Sequence, residues 1–240
     1  MPDHFVLDKD GRIATLRFNR PEKRNPLNEE ILRELEGLLH QVRDDPEVRV
    51  MILTGTGNTF CAGADLSQTK GITDRHERER IFASYRQRRG RLVGRILDTL
   101  VHLEPITIAA INGYAVGGGW ALALGCDFRI AVEEAQFWFP EVDLGVPLSP
   151  DSTALLTAHV GPTLAKEIII TCRRYMAEEL VPLGLLNRVV HKDALATTVG
   201  ELADSLIDKN PKAVLVSKAT VNAAAFGGAV VSPDLILSRD

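Results

Sequence analysis

Ile106-Thr107-Ile108-Ala109-Ala110-Ile111 runs directly into Asn112-Gly113-Tyr114-Ala115-Val116-Gly117-Gly118-Gly119. The first six residues are apolar or β-branched and read as a buried strand. Glycines end it, and a short helix is expected from about Trp120 to Gly125. A strand that stops in glycines ahead of a helix leaves backbone N–H groups unpaired and pointing outward. The same order occurs earlier, where Val50-Met51-Ile52-Leu53 precedes Phe60-Cys61-Ala62-Gly63-Ala64-Asp65-Leu66. One such turn is an anion site. Two that face each other grip a single carbonyl oxygen and stabilise negative charge as it develops there.

Outward from these segments, local signals are clear. Phe5-Val6-Leu7 and Ile13 to Phe18 flank Asp10-Gly11, a hairpin signal. Asn28 caps a helix whose apolar positions Ile31, Leu32, Leu35, Leu38, Leu39 and Val42 keep helical spacing. Phe128-Arg129-Ile130-Ala131 reads as a further strand, and recurring β-β-α units result. From about Thr153 the pattern turns helical, Ala177-Glu178-Glu179-Leu180 opens another helix that ends at Gly184, and 194–209 and the stretch from Pro211 read as C-terminal helices.

The 240 residues fit one generous domain, or a core with a helical appendage. Hydrophobic residues make up 45% and charged residues 25%, as in a globular protein with a sizeable core. A net charge of −4 gives no general attraction to nucleic acid or anionic membranes. Pro105 to Cys126 carries no charge and is long enough to span a bilayer, but its glycines and Asn112 break it. Three cysteines without a C-x-x-C pair argue against a disulfide framework or zinc ribbon. With no secretory leader visible at the start, a cytoplasmic location is expected.

Taken in order, these residues resemble the crotonase superfamily, the enoyl-CoA hydratase and isomerase group. Arg20-Pro21-Glu22-Lys23-Arg24-Asn25-Pro26-Leu27-Asn28 is close to that family's opening R-P-x-x-x-N-A-L-N signature. The resemblance continues through Cys61 to Leu66, Asn112 to Gly119, Cys126-Asp127, and Ala135-Gln136-Phe137 ahead of Pro140-Glu141. It closes with Gly184-Leu185-Leu186-Asn187-Arg188-Val189-Val190, so it covers most of the chain. It implies an α/β fold, a spiral of ββα repeats over residues 1–190 that carries an acyl-CoA site. Residues 191–240 would be the helical region with which relatives form trimers and hexamers. Members usually continue for a further helix, often with a lysine near the CoA phosphates, a contact not assigned here.

The resemblance also implies roles. The backbone N–H groups of Ala64 and Gly118 would hold the thioester oxygen while an enolate forms. Lys23 and Arg24 are placed to meet CoA phosphates, as point charge and fork, and Ala62, Asp65 and Leu66 to contact the CoA moiety. CoA arrives with the substrate, so no separate cofactor and no metal is expected. Relatives that hydrate enoyl-CoA use two glutamates. The downstream one is matched by Glu141, whereas Ala121 stands at the upstream position. Adding water calls for one group to activate it and another to share a proton. Moving a double bond needs only one. The expected order is therefore isomerisation of a 3-enoyl-CoA to a 2-enoyl-CoA, then hydration, then ring-opening hydrolysis of a cyclic β-ketoacyl-CoA.

Trp138, Phe139, Val142 and Leu144 predict apolar surroundings that raise the pKa of Glu141, with Asp143 facing away. Asp151 lies two residues beyond Ser149, where some relatives hold a catalytic aspartate, and reads as the N-cap of a helix from Ser152. Trp120, Trp138 and Phe139 read as core packing, with the lining of a pocket for a bulky ring as the alternative. Gly55-Thr56-Gly57-Asn58-Thr59-Phe60 begins like a dinucleotide fingerprint but has Phe60 at the third glycine. The arginine-rich stretch from Arg75 to Arg95 raises RNA binding without catalysis as a distant alternative. A solvated amphipathic helix over the acyl pocket accounts for it better, and no nucleic-acid or membrane partner is expected.

Overall fold

The computed structural model describes residues 4–67 and 90–226. The chain opens with the expected hairpin, β1 (Phe5–Asp10) and β2 (Ile13–Phe18), which pair antiparallel across Gly11 at φ 55°. A 3-10 turn (Pro21–Lys23) and β3 (Pro26–Leu27) lead to α1 (Glu29–Asp44). Asn28 caps α1, its Oδ1 accepting from the Ile31 amide at 2.8 Å. Ile31, Leu32, Leu35, Leu39 and Val42 form the buried stripe of α1.

From β4 (Val50–Gly55) the chain alternates between two sheets. The next strand, in the other sheet, is β5 (Thr59–Cys61), followed by β6 (Gly63–Ala64) and the helix α2, described over residues 90–102. The next unit is β7 (Ile106–Ile111), β8 (Tyr114–Val116) and α3 (Gly118–Leu124). The third is β9 (Phe128–Val132), β10 (Gln136–Trp138) and α4 (Pro150–Thr171). Then come β11 (Tyr175–Met176), α5 (Ala177–Leu180), β12 (Arg188–Val190), α6 (Leu195–Ile207) and α7 (Pro211–Phe226).

The larger sheet has the order β1-β2-β4-β7-β9-β12 and is parallel beyond the opening hairpin. The smaller has the order β11-β10-β8-β5, and β3 pairs with β6 apart from both. Each repeat therefore places one strand in each sheet. This is the expected ββα spiral. Parallel strands need crossovers, and those crossovers carry the site. Ile106 to Ile111 is buried throughout, as a strand covered on both faces must be.

Two local expectations change. The helix α3 starts at Gly118, not Trp120, because Gly117 at φ 51° and ψ −121° serves as its N-cap. Ser149, not Asp151, caps α4, its Oγ accepting from the Ser152 amide at 3.2 Å. Pro150 then occupies the first turn, where its fixed φ suits and its missing N–H costs nothing. A kink at Gly161, φ 74°, interrupts α4 just before Pro162.

All three cysteines are buried and none is in a disulfide. No helix among the described residues is long and apolar enough to cross a membrane. Most of the arginine-rich stretch lies outside the described residues. Of its members that are described, Arg95 binds Glu36 in a bidentate pair on the surface of α1.

Candidate active site

The two glycine turns meet. Gly63 has φ 75°, and a methyl added there would stand 2.5 Å from the Val116 carbonyl oxygen and 3.6 Å from the Gly118 amide nitrogen. Side chains rarely adopt that φ, and none fits in that space. The segments carrying Ala64 and Gly118 are thus in direct contact. Neighbouring amides are committed elsewhere: Ala62 N–H donates to Arg24 O at 3.0 Å, Asp65 N–H to Leu27 O at 2.8 Å, and Gly117 N–H to Trp138 O at 3.0 Å. Gly118 is the first residue of α3, and the first amides of a helix lack intrahelical acceptors.

Two asparagines hold these turns. Asn25, almost fully buried and left-handed at φ 53°, accepts from the Arg20 amide at 2.8 Å. Its Nδ2 donates to Thr59 O at 2.7 Å and Thr56 O at 3.1 Å. Asn112 donates to Gly55 O at 2.8 Å and Gly57 O at 3.0 Å, and accepts from the Gly55 amide at 3.3 Å. The loop between β4 and β5 is therefore pinned from both sides. Sequence reasoning missed both roles. The signal was there in Asn112, a polar side chain at the end of a fully apolar strand.

Ala62, Gly63, Ala64 and Leu66 line one side of a cavity of about 180 Å³, and Val116, Gly117 and Gly118 another. Leu27, Pro140, Glu141, Leu144, residues from Val146 to Ser149, Ser152, and Gly90 and Val93 of α2 complete the described wall. Among these lining residues Glu141 is the one ionisable side chain. A methyl on Gly117 would fall 2.7 Å from Glu141 Oε1, so glycine leaves the room that the carboxylate uses. Glu141 Oε2 is buried and has no hydrogen-bond partner among the described residues. Burial pushes the Glu141 carboxyl up to about 7, only partly opposed by its own backbone N–H. A carboxyl in that state exchanges protons near neutral pH.

Ala121 is fully buried in α3 and off the described cavity wall. Trp120 and Phe139 are also fully buried and stack at 4.6 Å, so they pack the core and do not line the pocket. Trp138 instead lies under the Arg174 guanidinium, 4.6 Å from its ring centre. Val142 is 40% exposed and contributes nothing to the cavity wall, in contrast to its expected role beside Glu141.

Lys23 ends the 3-10 turn, and Arg24 follows in the left-handed region at φ 64°; both are exposed at the mouth of the β3–β6 ladder. Asp65 accepts from the Ser67 amide at 3.0 Å and faces Arg20 Nη1 at 3.7 Å. Burial alone would raise its carboxyl. Hydrogen bonds from Ser67 and the charges of Arg20 and Lys23 outweigh that and hold it below the ordinary range.

A larger cavity, about 670 Å³, lies between α3, α4 and α7. Three of its polar side chains are committed: Lys218 to Pro105 O and Asp127, His159 to Leu124 O, Asn222 to Val101 O. Burial first, and the Arg129 charge second, push His159 down to about 4, so it stays neutral.

The family model for enoyl-CoA hydratase/isomerase matches residues 8–229. The short-chain-enoyl-CoA hydratase of Clostridium acetobutylicum is 37% identical over 221 residues, 92% of this chain and 81% of that protein. The crotonyl-CoA hydratase of Syntrophomonas wolfei is 37% identical over 92% of this chain and 82% of its own length. Among solved structures, the enoyl-CoA hydratase of Bacillus anthracis superposes with a TM-score of 0.82 at 31% identity, covering 98% of this chain and 87% of the other. With the paired glycine turns and the buried glutamate in their expected order, this chain belongs to the enoyl-CoA hydratase/isomerase family of the crotonase superfamily.

Proposed function

We propose that this enzyme adds water reversibly across the double bond of a 2-enoyl-CoA thioester, with Glu141 as the acid–base. The observation that carries the reading is the buried Glu141 carboxyl, its Oε2 without a partner among the described residues, on the wall it shares with Ala64 and Gly118. The names of the hydratases from C. acetobutylicum and S. wolfei support hydration over isomerisation, which the sequence had put first. In the proposed step, ionised Glu141 takes a proton from water while the water oxygen bonds to the β-carbon. The π electrons move onto the thioester oxygen, where the Ala64 and Gly118 amides stabilise the enolate. Protonated Glu141 then returns its proton to the α-carbon. One group serving both transfers delivers both new bonds to the same face.

Isomerisation is the second reading, and Ala121 is what favours it. There Glu141 removes a proton from the α-carbon of a 3-enoyl-CoA and returns it two carbons away. Lys23 and Arg24 would meet the CoA phosphates, with Ala62, Asp65 and Leu66 alongside. Asp65 would contribute through its backbone, its carboxylate being held by Ser67 and facing Arg20. A homotrimer or hexamer in the cytoplasm completes the proposal.

Offering purified protein a 2-enoyl-CoA and a 3-enoyl-CoA in deuterium oxide, with hydration and double-bond migration followed separately, tests the reading. Same-face addition of deuterium and hydroxyl is the expected result, with Glu141→Gln slower by roughly 10²–10⁴-fold. Migration much faster than hydration would reverse the order of the readings. Undiminished turnover in Glu141→Gln would remove the proposed proton carrier.

A further inference from the structure

Besides Glu141, the described wall of the 180 Å³ cavity carries two polar side chains, Ser149 and Ser152. Every other lining residue is apolar or glycine. The serines enter on the segment that opens α4. Ser149 Oγ accepts from the Ser152 amide at 3.2 Å and lies 2.7 Å from Ser152 Oγ. Ser152 is 2% exposed. A bond between two hydroxyls uses one of their two protons, and the other has no acceptor among the described residues. An unspent donor on an otherwise apolar wall lowers the affinity of a plain hydrocarbon and raises that of a ligand oxygen.

The described cavity is small, about 180 Å³, and suits a short chain. Charge bounds it further. Glu141 shares the cavity wall, and in its ionised form it disfavours an acyl chain that itself ends in a carboxylate.

We propose that Ser149 and Ser152 select acyl-CoA substrates whose short acyl chain carries a neutral oxygen, hydroxyl or carbonyl, near its far end. The inference rests on the cavity being the acyl site of the function proposed above. It adds that the site is shaped for an oxygenated chain and not for a simple alkyl one.

Direct binding of two saturated thioesters of equal length, 4-methylpentanoyl-CoA and 4-oxopentanoyl-CoA, tests this without turnover. The wild type should bind the 4-oxo chain about 10-fold more tightly. Ser152→Ala, which leaves the Ser149 cap in place, should bring the ratio close to unity by weakening the 4-oxo ligand. Ser152→Thr should keep the preference. Equal affinities in the wild type, or a ratio unchanged in Ser152→Ala, would overturn the inference. If 2-enoyl-CoA is still turned over in that case, the catalytic reading stands and only the specificity fails. A preserved preference without turnover of any enoyl-CoA would instead fail the catalytic reading alone. Binding of neither thioester removes the cavity as the acyl site and both proposals with it.

Discussion

Glu141 combines a buried oxygen, unpartnered among the described residues, with a carboxyl pushed up to about 7. In the proposed chemistry, water activation and α-proton removal both start from the carboxylate. For the free enzyme kcat/KM should therefore rise with pH through about 7 and then level off, a profile that Glu141→Gln should abolish. The linkage runs the other way for folding. A carboxyl whose folded pKa is raised binds more protons native than unfolded between 4.5 and about 7, so stability falls across that interval as pH rises. Two to three pK units correspond to about 3 kcal/mol. Glu141→Gln should thus be the more stable protein at pH well above 7, measured by urea unfolding, while matching the wild type in acid. Equal stability at alkaline pH would show that the carboxyl ionises without penalty. At the neighbouring position, Gly117→Ala forces a methyl to within 2.7 Å of Glu141 Oε1 at a φ of 51°. A loss of 1–3 kcal/mol in stability is expected, together with displaced carboxylate and lowered kcat.

At the scale of elements, the strands and glycine turns were legible because their signals are local. An apolar run, a glycine break and a cap each need only a few residues. The errors arose where two local choices compete. Asp151 and Ser149 are both good caps, and Pro150 decided between them because it fits only inside the first turn. Trp120 sits two residues beyond Gly118, about 200° around the helix, so it turns away from the cavity that Gly118 lines. The asparagine clamps were hidden for a different reason: Asn25 and Asn112 each reach acceptors more than thirty residues away. The serine pair was hidden likewise, since the cavity exists only once three separate crossovers converge. The Asn112 clamp has a measurable consequence. Asn112→Ala leaves Gly55 O and Gly57 O without their donor and should lower stability by about 1–3 kcal/mol. It should also lower kcat more than it raises KM, because the loosened loop carries the Ala64 segment. Unchanged kcat in a destabilised variant would make the clamp purely structural.

Across the whole molecule, the ββα spiral followed from pattern and order, while the attachment of α7 to it did not. Within α7, Lys218 is the buried side chain, and it donates to Pro105 O at 2.9 Å and Asp127 Oδ2 at 2.7 Å. Asp127 in turn accepts from the Thr107 amide and hydroxyl at 2.7 and 2.9 Å. One carboxylate thereby joins β7, the start of β9 and α7. Nothing near Lys218 in sequence marks it as buried. Removing one partner of such a pair strands the other, and Lys218→Ala should cost roughly 3–5 kcal/mol. For a chain of this size a melting point lower by about 6–20 °C is expected by calorimetry. A shift near zero would mean that solvent reaches Asp127 and replaces the lysine.

The alternation of strands between the two sheets also imposes an order of assembly. A ribosome delivers Ala64 with the first crossover, Gly118 with the second and Glu141 with the third. A nascent chain that has emerged only as far as β8 holds half of the proposed oxygen-binding pair and lacks the proposed proton carrier. Competence for ligand thus arrives in one step, late in synthesis. Fragments ending ahead of residue 141 should leave acyl-CoA untouched however well their hairpin and first helix are formed.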